Sequence, residues 1–367
     1  MNRARRIRWK WNSLLPTAWC FMKQFAFYLP QFHRIPENDE WWGSGFTEWR
    51  NVKNATPLFK GHMQPKVPLD NNYYNLLNKK TVVEQTALLH KYGLSGLIYY
   101  HYYFNGKTLL EKPAENLLSW TDISQPFFFC WANHTWYRSW EGSKEVLIEQ
   151  TYGTESDWEK HFEYLLPFFK DSRYEKKNNK PLFMIFNSEF QKKKEMFDYF
   201  EKKCIENGFS GICIIETCEN IDNMDVQQKS KSNQCEYLFL REPTVSRNAY
   251  IKSLRYAPIR LIRKLKRLLC GPYVIKFNGN RLFDLMCCYK LGNKSIARGV
   301  FFEWDNTPRH SIRGTIITPP DKKRYLQYMD SIKDTEYLFI NAWNEWAEGM
   351  MLEPTVENKH VLSDRIM

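Results

Sequence analysis

The chain has no G-x-G-x-x-G turn, no phosphate-binding P-loop and no DxD pair. Those absences remove the residue patterns that cradle dinucleotides, hold triphosphates or bind a metal-bound nucleotide sugar. There is no CxxC pair either: nine cysteines stand at 20, 130, 204, 213, 218, 235, 270, 287 and 288, odd in number and irregular in spacing. Such usage argues for reduced thiols in a cytoplasmic protein. The apolar stretch near the start is broken by Asn12, Pro16 and Lys23 and is too short to span a bilayer. With Arg3, Arg5, Arg6, Arg8 and Lys10 ahead of it, residues 1–22 read as a basic N-terminal extension, with a weak signal-like segment as the alternative. No nucleic-acid motif accompanies the net charge of +12, so nucleic acid is not an expected partner.

What is abundant is aromatic. Phe, Tyr and Trp make up 16% of 367 residues, and many of the 14 tryptophans stand beside Asn, Glu, Arg or His rather than inside apolar runs. An aromatic face covers the C–H side of a pyranose while polar neighbours take its hydroxyls, so this mixture suits a sugar site; simple core packing is the alternative for any one ring. Hydrophobic residues at 43% and charged residues at 26% are enough for a full core and exclude global disorder.

Eight short apolar runs recur along the chain: Gln24 to Leu29, Gly96 to Tyr100, Pro126 to Trp131, Leu182 to Phe186, Gly211 to Ile215, Tyr237 to Leu240, Val300 to Phe302 and Tyr337 to Ile340. Runs of this kind suit buried parallel strands. Between them, Lys80 to Tyr92, Asp157 to Phe169 and Lys192 to Asn207 carry helical amphipathicity. The alternation predicts an α/β fold, a closed (β/α)8 barrel over residues 23–367 with an insertion at about 243–295. The segment from Pro30 to Tyr74 is too long for an ordinary connection, and long loops after the strands are where barrel active sites are built.

Polar residues gather after the predicted strands: YLPQFH (28–33), YYHYYF (99–104), WANHTWYRSWEG (131–142), Glu216, FEWDNTPR (302–309) and NAWNEWAEG (341–349). Glu345 and Glu348 are the sharpest pair. A spacing of three puts both carboxylates on one side of a turn, and glycosyl transfer needs one group to protonate the departing oxygen while another supports the sugar. The bland alternative is a pair of acids complementing a helix dipole. Candidate sugar contacts are Tyr28, His33, Trp49, Tyr100, His101, Trp131, Asn133, His134, Trp136, Arg138, Trp140, Glu303, Trp304, Asp305, Arg309, Asn344 and Trp346. Arg309 would neutralise the acids, and an Asx-type turn before Pro308 explains Asp305 without function. His33, His101 and His134 lack HxxxH or HxH spacing, so no metal is expected, and no cofactor.

Between Pro243 and Phe283 stand ten Lys or Arg and no acid. Leu261, Ile262, Leu265, Leu268 and Leu269 share one helical face, and Arg260, Arg263, Lys264, Lys266 and Arg267 fall largely on the other. A basic amphipathic helix over about 258–269 favours an anionic membrane surface at roughly 1 kcal/mol per basic residue. Packing of its apolar face on its own domain is the alternative.

The stretches FAFYLPQFHRIPENDEWWGSGFTEWRNVKNATPLFKGHMQP, GLSGLIYYHYYFNGKTLLEKP, WANHTWYRSWEG, FEWDNTPR and FINAWNEWAEGMMLEP resemble the WbsX group of bacterial proteins over about residues 23–355. That group is described as glycosyltransferases of lipopolysaccharide O-antigen synthesis and is related to the glycoside hydrolase family 99 endo-α-mannosidases. The resemblance implies a (β/α)8 barrel and an oligosaccharide or lipid-linked glycan as substrate, met in the cytoplasm or peripherally at the inner membrane. It also implies roles: Glu345 draws the proton from a sugar 2-hydroxyl that attacks its own anomeric carbon, and Glu348 serves as acid and then base. An endo-acting hydrolase and a glycan-binding barrel without turnover remain the alternatives. Two departures stand out. The family's third-strand motif reads WANE followed by NW, where this chain has His134 and Thr135, and the chain ends soon after LEP with little room for a full final helix.

Overall fold

The computed structural model describes residues 22–138, 145–221, 235–253, 256–289 and 295–358. Residues 1–21 of the basic N-terminal extension and Trp140 fall outside the described residues. Eight strands form the centre: β1 (Lys23–Tyr28), β2 (Gly96–Phe104), β3 (Phe127–Trp131), β4 (Lys180–Ile185), β5 (Cys213–Cys218), β6 (Cys235–Leu240), β7 (Ile296–Phe301) and β8 (Tyr337–Asn341). Each pairs in parallel with its sequence neighbour, and β8 pairs with β1, with Phe25 opposite Phe339, so the sheet closes. This is the (β/α)8 barrel. β3 and β8 are buried at every position, which is why they read as unbroken apolar runs.

Helices pack outside this ring. α1 (Lys79–Lys91) is capped by Asn78, whose side chain accepts from the Lys80 N–H, and it buries Val82, Gln85, Thr86 and Leu89 at helical spacing. After α2 (Lys112–Ser119), α3 (Glu155–Lys170) opens with a capping box in which Asp157 accepts from the Thr154 N–H at 2.9 Å. α4 (Lys193–Glu206) follows β4. Between β6 and β7 lie α5 (Thr244–Lys252), α6 (Ala257–Cys270), a short strand Ile275–Phe277 and α7 (Gly279–Met286), and α8 (Lys322–Ser331) leads into β8. Among the described residues no helix is long and apolar enough to cross a membrane.

Much of the aromatic excess is spent inside the barrel. Phe25 meets Phe128 at 5.1 Å, Phe27 meets Phe239 at 5.6 Å, and Phe339 reaches Phe239 at 5.1 Å and Phe128 at 5.7 Å. Four strands thus contribute rings to one interdigitated filling, with centroid distances in the range that favours edge-to-face and tilted pairs. Tyr100 stacks on Phe27 at 5.4 Å and caps this filling at the end where the strands finish. The floor of the site is therefore the top layer of the core.

Candidate active site

The loop after β8 is fastened from both sides before it presents any acid. The Asn344 amide accepts from the Leu29 N–H at 2.7 Å and donates to the Leu29 carbonyl at 3.0 Å, tying the loop to the end of β1. The indoles of Trp346 and Trp343 donate to the buried Glu353 carboxylate at 2.6 and 3.2 Å, which also accepts from Tyr74 and Gln85, both at 2.6 Å. Burial pushes the Glu353 carboxyl up, and those donors hold it back. Residues Trp346–Glu348 form one 3-10 turn, closed by Gly349 at φ +62. A Cβ there would come within 3.1 Å of the Asp305 backbone nitrogen, so glycine serves both the left-handed turn and the close approach. With the intervening tryptophan turned into the core, Glu345 and Glu348 face the other way.

They face a cavity of about 350 Å3 lined by Leu29, Gln31, Trp42, Tyr100, Tyr102, His134, Trp136, Phe186, Arg241, Asn341, Arg309, Glu345 and Glu348 among others. Its size and mixed lining suit a small polar ligand with an apolar face. Arg309 organises the acidic wall. Its Nη2 donates to Glu345 at 3.3 Å, its Nη1 to Glu348, and its Nε to Glu48 at 2.8 Å. Trp304 donates its indole N–H to the other Glu348 oxygen at 3.0 Å. Burial raises the Glu345 carboxyl; Arg309 opposes this, Glu348 and Glu48 reinforce it, and the balance leaves it raised. Burial pulls the Arg309 guanidinium down, but Glu48, Glu348 and Glu345 more than offset that, so it stays charged.

A second cavity of about 350 Å3 adjoins the first through His134 and Phe186 and is lined by Asn187, Glu189, Glu216, Glu219 and Asn220 among others. Glu216 is buried beside Lys193 at 3.3 Å. Arg241 pairs with Glu219 and lies over the Phe186 ring at 4.4 Å, on the boundary between the two spaces. Burial and Arg241 keep the pKa of His134 below its ordinary value, so the imidazole is neutral at pH 7.

Of the candidate sugar contacts, Tyr100, His134, Trp136 and Arg309 line the first cavity with the acid pair. Eight others do not line it. Tyr28 donates to Gln85 at 2.7 Å, Trp49 donates to the Tyr74 carbonyl at 2.8 Å and packs on Trp346, and Trp131 donates to the Tyr103 carbonyl at 3.0 Å. His101 sits 2.8 Å from His161, Asn133 is held in a reciprocal pair with the Asn187 backbone, and Asn344 and Trp346 are fixed as described. His33 is buried, which lowers its pKa to about 4. Apart from His33, whose ring is simply buried, the reason is shared: these side chains satisfy polar atoms inside the protein, where an unpaired one is costly.

Glu303, Asp305 and Arg138 are also engaged elsewhere. Lys66 takes Glu303 at 2.6 Å, His62 and Gln64 each meet Asp305 at 2.8 Å, and Arg138 pairs with Glu145 at 2.8 Å. Glu48, Tyr102, Trp42, Phe186 and Arg241 belong to the cavity and its acidic wall although sequence reasoning passed over them. Glu48 stood in view, one residue before Trp49 in the FTEWRN stretch.

The model of the WbsX glycosyltransferase family matches residues 24–363. The chain belongs to the WbsX glycosyltransferase family. An uncharacterized protein WxcX from Xanthomonas campestris pv. campestris strain B100 is 32% identical over 346 residues, covering 90% of this chain and 47% of the relative. A WxcX from a second strain of that pathovar is likewise 32% identical, over 342 residues. This WbsX chain spans about half the length of the curated relatives it matches. Among solved structures, the GH99 endo-alpha-mannosidase from Bacteroides thetaiotaomicron is similar with a TM-score of 0.51 at 12% identity, over 91% of this chain and 88% of that one. A glycoside hydrolase-like protein is similar with a TM-score of 0.54 at 10% identity, over 94% of both chains. At those identities the likeness is one of fold. Family and fold together support a carbohydrate-active enzyme.

Proposed function

We propose that this WbsX protein transfers glycosyl groups in the assembly of bacterial cell-surface polysaccharide, with Glu345 and Glu348 acting on a glycan bound in the first cavity. The observation that carries the reading is the bridging of both carboxylates by Arg309 on one cavity wall, in a space also lined by Tyr100, Tyr102, Trp42 and Trp136. An oxocarbenium-like transition state needs an acid for the leaving oxygen and negative charge near the anomeric carbon. A carboxyl raised by burial is suited to taking a proton near neutral pH.

In this path Glu345 removes the 2-hydroxyl proton while that oxygen bonds to the anomeric carbon of the same sugar. Glu348 gives its proton to the departing oxygen as the glycosidic bond breaks. The acceptor hydroxyl then opens the anhydro ring, giving its proton to Glu348, and Glu345 returns its proton to the 2-oxygen. Two inversions retain the configuration. The substrate of this reading is an oligosaccharide or lipid-linked glycan, met in the cytoplasm at the inner membrane.

Water in place of the acceptor sugar makes the same steps a hydrolysis. The shared fold with an endo-alpha-mannosidase and the lack of nucleotide-sugar motifs favour that second reading. The test is incubation with α-linked manno-oligosaccharides, with and without sugar nucleotides, following products by mass spectrometry. Glycans lengthened by transfer support the first reading, shortened glycans the second, and binding without any product a glycan-binding barrel.

A further inference from the structure

Among the described residues, α6 is held to the body along one side only. Arg263 donates to the Lys276 carbonyl at 2.6 Å and lies over the Phe277 ring at 4.8 Å, while Tyr273 donates back to the Arg263 carbonyl at 3.3 Å. Ile259 packs on the main core near the start of the helix. On the opposite side Leu261, Ile262, Leu265, Leu268 and Leu269 are 62, 63, 50, 74 and 84% exposed. At 3.6 residues per turn these five occupy an arc of about 120°, bordered by Lys264 on one edge and Lys266 on the other. Lys264, Lys266 and Arg267 are exposed as well.

The helix is also placed with respect to the acid pair. The strand Ile275–Phe277 that follows it pairs with Thr315–Ile317, which pairs with Trp304–Asp305. Trp304 is the residue whose indole donates to Glu348. A three-stranded sheet therefore connects the exposed apolar ridge to the catalytic wall.

We propose that the outward face of α6 is a docking surface for an anionic lipid bilayer, with the five apolar side chains entering the interface and Lys264 and Lys266, on its two edges, meeting the lipid phosphates. Charge decides the occupant. Between Pro243 and Phe283 there is no acid to repel an anionic surface, and cations border the ridge on both edges, as an amphipathic helix lying in an interface requires. The proposal rests on the reading above in one respect, that a lipid-linked glycan would be presented at such a surface to a cavity rooted in the same sheet.

The test is co-sedimentation of the full chain with vesicles of phosphatidylcholine alone or mixed with phosphatidylglycerol, in the absence of any glycan. Binding is expected to the mixed vesicles, and to fall about tenfold or more in a Leu265→Asp, Leu268→Asp variant and in a Lys264→Gln, Lys266→Gln variant. Circular dichroism and turnover of a soluble glycan should stay at the parental level in both, since neither touches the cavity. Absent binding, equal binding to neutral vesicles, or binding indifferent to either variant would overturn the proposal. So would a dimer in sedimentation velocity that the Leu265→Asp, Leu268→Asp change dissociates, which would give the face to a second copy. Vesicle binding is read without substrate, so its failure leaves the catalytic reading standing, and an inactive acid pair leaves vesicle binding standing.

Discussion

The Nη2 of Arg309 lies 3.3 Å from the Glu345 carboxylate, and the same guanidinium holds Glu348 and Glu48. One cation thus serves three carboxylates, and Glu48 is completely buried. An arrangement of this kind keeps excess negative charge at a cavity wall, which costs stability and suits the stabilisation of positive charge on a sugar.

Arg309→Met should therefore be strongly destabilising. Stripping the cation from buried carboxylates typically costs about 3–5 kcal/mol. Urea unfolding should show a larger loss at pH 8 than at pH 5, because protonation relieves the unpaired acids. Arg309→Lys should recover part of the loss, since it keeps the charge but not the fork that reaches three partners.

The raised pKa of Glu345 gives a signed expectation. The folded state binds this proton more tightly than the unfolded chain, so stability falls as pH rises from the ordinary carboxylate range through the raised value. Glu345→Gln should be more stable than the parent above that window and equal to it below. As a base Glu345 must be ionised, so kcat/KM should drop on the acid side along a limb lying above the ordinary carboxylate range. Glu48→Gln removes one of the charges that raise Glu345 and should move this limb to lower pH.

How far the chain could be read without coordinates depended on whether a feature was local. The β3 and β8 runs were legible because strands buried on both faces leave no polar positions. β7 begins at Ile296, ahead of the predicted Val300, because Arg298 interrupts the pattern; in the fold its guanidinium lies 5.6 and 5.7 Å from the Tyr289 and Tyr328 rings. β2 runs on to Phe104, four residues past the apolar run Gly96 to Tyr100. The acids of NEWAEG were legible from their spacing. That Trp346 and Asn344 turn inward was not, because it depends on Glu353 and Leu29, partners that spacing does not reveal. Glu48 escaped notice for the same reason: its meaning comes from Arg309, far along the chain.

Trp304→Phe removes the N–H donated to Glu348 and keeps most of the ring. A hydrogen bond contributes about 0.5–1.5 kcal/mol net, so kcat should fall several-fold with little change in glycan affinity. Unchanged kcat would mean that the Glu348 orientation does not depend on this contact.

Trp136 stands in the cavity with Tyr102 at 4.9 Å and Trp41 at 5.9 Å. As a platform for the apolar face of a sugar, its replacement in Trp136→Ala should raise KM about tenfold, in line with the area an indole covers, and change kcat less. A kcat effect with KM unchanged would assign the ring a different role.

The central claim is that Glu345 and Glu348 perform chemistry on a glycan held in the first cavity. The most direct test is to measure both turnover and calorimetric binding of one glycan substrate in Glu345→Gln and Glu348→Gln. Each variant should bind within a few-fold of the parent while turnover falls about 10²- to 10⁴-fold, the span of acid–base contributions. Full turnover in either variant would contradict it.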